Sequence, residues 1–140
     1  MGYPSFDDEV KIMSLGIHEK KEKLESVAEA DDIIRIKNIA VSVHVSDAMM
    51  KYIVQIISAT RSHAQIVMGA SPRGSISLYK MCQAFAVYEG RNYVIPDDVK
   101  YLAPYVLSHR LILSSAAKIN NISPEEIISE IIKNILVPIS

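Results

Sequence analysis

Residues 69–90 read GASPRGSISLYKMCQAFAVYEG, and this stretch predicts one complete helix with an unusual beginning. Ser71 is a preferred N-cap residue and Pro72 suits the first helical position, whereas Gly90 is a typical C-terminal stop. Arg73 falls in the first turn, where the backbone N–H groups and the helix dipole already disfavour a cation. Because an anion is the natural ligand of such a helix end, Arg73 points to a phosphate carried by a ligand or another domain.

The rest of the chain also follows helical periodicity, which predicts an all-α bundle of five or six helices with at most a very short β element. Pro104 lies inside one of these helices, so a kink or break is expected there. Residues 41–45 alternate and are β-branched, so this segment could be extended. Helix-start signals occur at Ser5, Asp31 or Asp32, Ser46, Pro96 and Ser123, and Pro138 is expected to end the last helix.

Composition narrows the class of protein. The chain has 140 residues, of which 49% are hydrophobic and 22% charged, with a formal net charge of −1. This charge balance argues against nucleic acid or a membrane surface as the main partner. The single cysteine, Cys82, excludes an internal disulfide and fits a reducing cytoplasm. No apolar run reaches the roughly 18–20 residues that span a bilayer.

The usual catalytic signatures are missing from the sequence. It contains no GxxxxGK[ST] phosphate-binding loop, and its four histidines show no metal-binding spacing, so no metal site is expected. Asp97 and Asp98 could form a catalytic carboxylate pair, but acids that cap a helix explain them better. From the local sequence alone, Arg73 either meets a phosphate or is an exposed arginine that tolerates a dipole penalty of about 0.3–1 kcal/mol.

Several short motifs in register resemble the C-terminal helical lid of MoxR-family AAA+ ATPases. These motifs are Gly69–Arg73, Tyr93–Val99, Leu102–Pro104 and Val106–Leu111, supported by Gly2–Ser5, Val43–Ser46 and Ala59–Arg61. The resemblance covers nearly the whole chain. It implies that residues 1–16 are the exit segment from an AAA+ core and that residues 17–140 are the helical lid.

The resemblance assigns the family's sensor-2 arginine to Arg73, which would reach across a cleft to the ATP phosphates. Ser71 and Pro72 would support it by fixing the start of the helix. Two residues depart from the family pattern. Gly74 stands where alanine is more common and could loosen the presentation of Arg73, and Ile95 replaces the usual threonine, which removes an N-cap hydroxyl.

The implied function is to contribute to ATP binding, hydrolysis and nucleotide-driven conformational coupling in a chaperone-like protein-remodelling ring. ATP and Mg would be cofactors of the parent protein, held mostly by the core domain. This chain alone would bind none and would be inactive. The implied partners are the AAA+ core, neighbouring subunits of a hexameric ring and proteins with a von Willebrand A domain, in the cytoplasm. The alternative is a free-standing helical protein-interaction module without nucleotide chemistry.

A few further residues have open roles. Arg61, His109 and Arg110 fit family positions without an assigned function, although Arg110 could form a salt bridge within the lid or reach another domain. His44 is expected to pack or face solvent. The isoleucine-rich face of residues 127–136 favours core packing over a partner surface. Residues 18–30 are expected to form an exposed connection.

Overall fold

The computed structural model describes residues 3–18 and 25–138 and is built mainly from helices. It confirms the all-α prediction, with seven α-helices in these ranges where five or six were expected, one 3-10 turn and one two-stranded sheet. The elements are α1 (Phe6–His18), α2 (Ala30–Ser42), α3 (Asp47–Ser62), β1 (Ile66–Met68), α4 (Pro72–Tyr88), α5 (Pro96–Leu107), the 3-10 turn (Ser108–Arg110), β2 (Ile112–Leu113), α6 (Ser115–Ile119) and α7 (Pro124–Asn134).

Helix α4 lies at the centre of the fold and packs against α2, α3 and α5. Its buried stripe includes Leu78, Cys82 and Ala86, as the helical spacing predicts. Removal of such apolar side chains from water stabilises the fold by about 25 cal/mol per Å². Other fully buried side chains of the core come from α3, α5 and α7: Tyr52, Ile56, Ile57, Val99, Leu107, Ile127 and Ile128.

The helix α7 uses its isoleucines for the core, as the sequence favoured. Ile127, Ile128 and Ile131 are buried, and α7 packs against α3 and α5. The Ser123 hydroxyl accepts from the Glu126 N–H at 3.2 Å, and the Glu126 carboxylate accepts from the Ser123 N–H at 2.7 Å. This reciprocal capping box fixes the start of the helix. The helix ends at Asn134, earlier than the expected stop at Pro138.

Two local expectations are wrong. Val41 and Ser42 belong to α2 instead of an extended segment, because the helical face of α2 packs on α4 and overrides the β-branched propensity. In the part of the chain that the structure describes, extended pairing is confined to an isolated bridge between His44 and Tyr93 and to the antiparallel pair β1–β2. Helix α5 is not broken at Pro104 but continues to Leu107.

Two buried polar contacts hold the loops beside α4. The Gln83 side-chain amide donates to the Val41 carbonyl at 3.3 Å and to the Val43 carbonyl at 2.9 Å, which ties the α2–α3 connection to α4. The Arg91 guanidinium donates to the two Asp98 carboxylate oxygens at 3.0 and 2.6 Å. These contacts satisfy groups that would be costly to bury alone.

The helices α1 and α2 present apolar side chains to solvent. All side chains of residues 6–16 are exposed, among them Phe6, Val10 and Met13. Helix α2 has no buried residue, and Ile33 and Ile36 are exposed. The predicted domain division at residue 16 lies inside α1 and stays a prediction, and residues 19–24 of the expected connection lie outside the described residues.

Candidate functional site

Arg73 is the second residue of α4 and its side chain is exposed. It makes no hydrogen bond or ion pair with any residue that the structure describes, and the first turn of α4 contains no acidic residue. Its charge therefore adds to the positive end of the helix dipole without compensation. This arrangement is suited to an anion that approaches from outside the chain.

Ser71 and Pro72 precede Arg73 at the positions predicted from the sequence, but they act differently. Pro72 is the first helical residue, and Ser71 occupies the N-cap position with extended φ and ψ. This confirms the predicted N-cap residue, but the Ser71 side chain makes no capping hydrogen bond. The first turn is closed by the backbone instead, since the Gly74 N–H donates to the Ser71 carbonyl at 2.8 Å.

The residue before this turn, Ala70, is held on both sides of its backbone by α3. Its N–H donates to the Thr60 hydroxyl at 3.0 Å, and its carbonyl accepts from the Arg61 Nε at 2.9 Å. Ala70 and Thr60 are buried, and the Thr60 hydroxyl donates in turn to the Ile57 carbonyl at 2.6 Å. We call Thr60, Arg61 and Ala70 together the α3 clamp. The clamp fixes the chain two residues before α4 begins.

Gly69 allows this clamp to form. A Cβ at Gly69 would lie 2.7 Å from the Arg61 backbone nitrogen and equally close to the carbonyl group of Thr60. Only a residue without a side chain permits such an approach of two backbone segments. The position explains why the motif of residues 69–73 begins with glycine.

Gly74, the residue that follows Arg73, is closely packed in the core. It is buried, and a Cβ there would lie 3.3 Å from the Ala70 Cβ and 3.5 Å from a Leu107 methyl group. The first turn of α4 is thus seated against the Ala70 side chain and α5. The idea that Gly74 loosens the presentation of Arg73 stays a prediction.

A second arginine contacts the same face of α4. Ser77 follows Arg73 by four residues, so the two lie one turn apart on one helix face. The Arg110 Nη2 donates to the Ser77 hydroxyl at 3.2 Å, and the Arg110 Nε donates to the Val106 carbonyl at 3.0 Å. These bonds join α4 to the end of α5. Within the described residues Arg110 forms no salt bridge, and its guanidinium bonds instead to a hydroxyl and a carbonyl.

The candidate metal ligands and the acids Asp97 and Asp98 form no catalytic or metal site in the described residues. Among residues 3–18 and 25–138, no three His, Cys, Asp or Glu side chains are placed to hold a metal ion. The Asp98 carboxylate accepts from the Ile95 N–H at 2.9 Å and from Arg91, so it caps α5 from within, where Ile95 offers no hydroxyl. Asp97 is exposed and pairs with Lys100 at 2.8 Å. The two acids are therefore capping and surface residues, as favoured from the sequence.

The electrostatics of the buried groups agree with structural roles. Burial raises the pKa of the Cys82 thiol to about 12, which leaves it protonated and unreactive at neutral pH. The hydrogen bond to Asp98 raises the pKa of Arg91. His44 and His109 are exposed, and His44 takes part in the fold through its backbone.

The sequence placed Arg73, Ser71 and Pro72 correctly at one helix start but missed the role of Thr60 and Arg61. Both residues lie in α3, nine or ten positions before Ala70 in the chain. The sequence contains only a weak indication of this contact: Thr60 and Arg61 stand near the end of one helix, and Gly69 begins the motif of the next. The spacing of these residues does not predict that the backbone at Ala70 packs against the end of α3.

Comparisons with known proteins identify relatives over the whole chain. A family profile described as the AAA lid domain matches residues 58–131. Uncharacterized protein YeaC of Bacillus subtilis is 44% identical, and the match covers 99% of this chain and 44% of YeaC. Chaperone MoxR1 of Mycobacterium tuberculosis is 34% identical over 99% of this chain and 39% of MoxR1.

A solved structure has the same architecture. The crystal structure of a "putative ATPase" from Cytophaga hutchinsonii superimposes with a TM-score of 0.80 at 28% identity, covering 99% of this chain and 45% of that one. The chain thus spans less than half the length of the relatives and the structure it matches. None of the described helices is long and apolar enough to cross a membrane.

Proposed function

The chain belongs to the AAA lid domain family, and we propose that it serves as the nucleotide-sensing lid of a MoxR-type AAA+ ATPase. The resemblance to MoxR-family lids inferred from the sequence is confirmed by the family match and by MoxR1. The relatives extend well beyond the matched region, which supports a lid that works together with an AAA+ core.

The single observation that carries the proposal is the uncompensated charge of Arg73. An exposed guanidinium in the first turn of a helix, with no acidic residue in that turn, is poorly placed for stability and well placed for an anion. The planar guanidinium can hold two phosphate oxygens at once and does not deprotonate. We therefore assign Arg73 the sensor-2 role, with Ser71 and Pro72 as its local support.

The proposed chemistry divides between the lid and the core. ATP bound with Mg by the core supplies the phosphoryl group that is transferred to water. Arg73 would hold phosphate oxygens and stabilise the negative charge that is spread over them in the transition state. A contact of this kind between two domains also links the nucleotide state to lid movement, because the contact exists only while the phosphate is present.

The exposed apolar faces of α1 and α2 support an adjoining partner domain. Side chains such as Phe6, Met13 and Ile33 are large and solvent-exposed in this chain, and larger areas of exposed apolar surface mark interaction sites. We propose that the AAA+ core covers them. Assembly into a hexameric ring, partners with a von Willebrand A domain and a cytoplasmic location follow from the family resemblance and belong to the same proposal.

The test is steady-state ATP hydrolysis by the full-length ATPase that carries this lid, with Arg73→Ala compared with wild type. Loss of one charge-stabilising contact predicts a fall in kcat of about 100-fold or more. The matched control is Lys133→Ala, because Lys133 is an exposed cation in the last turn of α7, outside the α1 and α2 faces that we propose the core covers. The control should retain wild-type turnover.

Two outcomes separate the candidate functions. A selective loss in Arg73→Ala, with an unchanged circular dichroism spectrum, would support the sensor-2 lid. Equal turnover of both variants and wild type would refute it, and the alternative of a protein-interaction module without nucleotide chemistry would then account for the chain.

A further inference from the structure

The direction in which Arg73 leaves the fold depends on the backbone that precedes α4. Within the described residues its guanidinium contacts nothing that could orient it, and the Ser71 hydroxyl makes no capping bond. The start of α4 therefore lacks the N-cap side-chain hydrogen bond that usually fixes the first turn of a helix. Another contact has to set the position of the first turn.

The α3 clamp provides that contact. It holds the N–H and the carbonyl of Ala70 at 3.0 and 2.9 Å, and it does so from two successive residues of one helix. Because Ala70 lies only three residues before Arg73 and is buried, a shift of either hydrogen bond passes directly to the first turn of α4. The packing of Gly74 on the Ala70 side chain joins the clamp to that turn.

We propose that Thr60 and Arg61 are positioning residues for Arg73, which act by holding Ala70 and thereby fixing where α4 begins. The inference rests on the proposed function, since the position of Arg73 affects turnover only if Arg73 meets the phosphates. Neither residue needs to touch the nucleotide. Arg61 is required here for its Nε–H donor, and its positive charge is not required.

This distinction gives a sharp experiment on the full-length ATPase. Arg61→Met places a methyl group at the position of Nε along the side chain and removes the donor and the charge. Arg61→Gln also removes the charge, yet its amide nitrogen occupies the place of Nε along the side chain and can donate to the Ala70 carbonyl. Positioning errors of about 1 Å cost up to about 100-fold in rate. We expect Arg61→Met to lower kcat by about 10-fold to 100-fold, with KM for ATP changed much less, and Arg61→Gln to recover most of the loss.

A structural measurement on the 140-residue chain accompanies the kinetics. Thr60→Val removes the acceptor for the Ala70 N–H with little change of shape, whereas Thr60→Ser retains it. Amide hydrogen exchange at Ala70 should accelerate at least 10-fold in Thr60→Val and remain near wild type in Thr60→Ser. Unchanged exchange in Thr60→Val would overturn the clamp as a physical contact.

The outcomes distinguish failure of this inference from failure of the proposed function. If Arg73→Ala abolishes turnover but Arg61→Met does not reduce it, the positioning role is refuted and the sensor-2 lid stands. If Arg61→Gln is as impaired as Arg61→Met, the charge of Arg61 matters and the positioning role is again refuted. If Arg73→Ala itself has no effect, the proposed function fails, and the positioning role fails with it.

Discussion

Replacement of Gly69 by alanine tests the close approach that seats α4 on α3. The new Cβ would lie 2.7 Å from backbone atoms of Thr60 and Arg61, whereas ordinary van der Waals contact begins near 3.4 Å. The two segments must therefore separate by about 0.7 Å. Neither partner is a flexible side chain that could turn away, so the backbone has to move.

The free-energy cost follows from two contributions. Overpacking of this kind costs about 1–3 kcal/mol. A separation of the same size would stretch the hydrogen bonds of Ala70, now 3.0 and 2.9 Å, beyond useful length, at about 1 kcal/mol each. We therefore expect Gly69→Ala to lower the free energy of unfolding by about 3–5 kcal/mol. For a domain of this size, the midpoint of thermal unfolding would fall by about 10–15 °C.

The assay is urea unfolding of the 140-residue chain, followed by circular dichroism, with two other glycines as matched controls. Gly74→Ala places its Cβ 3.3 Å from the Ala70 Cβ, and Gly16→Ala meets nothing within 4 Å. Each control also gains up to about 1 kcal/mol of helix propensity, so both should remain within about 1 kcal/mol of wild type. If Gly69→Ala unfolds at the same urea concentration as the controls, the explanation of the α3–α4 contact is wrong.

Three further predictions concern the rest of the fold. Asp98→Ala removes the carboxylate that pairs with Arg91 and accepts from the Ile95 N–H, so it should destabilise the chain by about 3 kcal/mol in urea unfolding. Asp97→Ala, at an exposed position, should change the stability by less than about 0.5 kcal/mol. Similar losses in both variants would contradict the structural role of Asp98. Hydrogen bonds from Ser123 hold the pKa of Glu126 below its ordinary 4.5, so this carboxylate stabilises the fold above pH 4.5 and loses that contribution as the pH falls through its lowered pKa. Glu126→Gln keeps the capping box with a side chain that does not titrate, so the stability of the variant should fall less than that of wild type between pH 4.5 and pH 2.5. Parallel plots of the free energy of unfolding against pH for the two proteins would exclude the effect. Because burial raises the pKa of Cys82 to about 12, a thiol reagent at pH 8 should label the folded chain only as fast as unfolding exposes the Cys82 thiol. Immediate labelling would show that the thiol is accessible in the folded chain.

Much of the fold could be predicted from the sequence because its helices carry local start signals. Ser46 and Ser123 cap α3 and α7 with side-chain hydrogen bonds, and Pro72 and Pro96 stand at the first positions of α4 and α5. These signals act within four residues, so they can be read without knowledge of the fold. The family resemblance added the assignment of the chain as a lid.

The elements that were missed depend on contacts between distant residues. Strand β1 pairs Ile66 with Leu113, nearly fifty residues further along the chain, and neither strand is long enough to show a periodic pattern. The α3 clamp is similar, since it forms only when the segment after α3 turns back on the end of that helix. Ser71 occupies the predicted N-cap position of α4 without a capping hydrogen bond, because the preference of serine for this position does not specify how its hydroxyl is oriented.

The position of α3 affects how this protein can be divided for experiments. The profile match begins at residue 58, near the carboxyl end of α3, while the buried Tyr52, Ile53, Ile56 and Ile57 lie before it. A fragment trimmed to the matched residues would lose these side chains, and the apolar surfaces of α4 and α7 that pack on α3 would be open to water. The segment matched by the family profile is therefore smaller than the unit of folding, and truncations should be placed before α3 to preserve a cooperative domain.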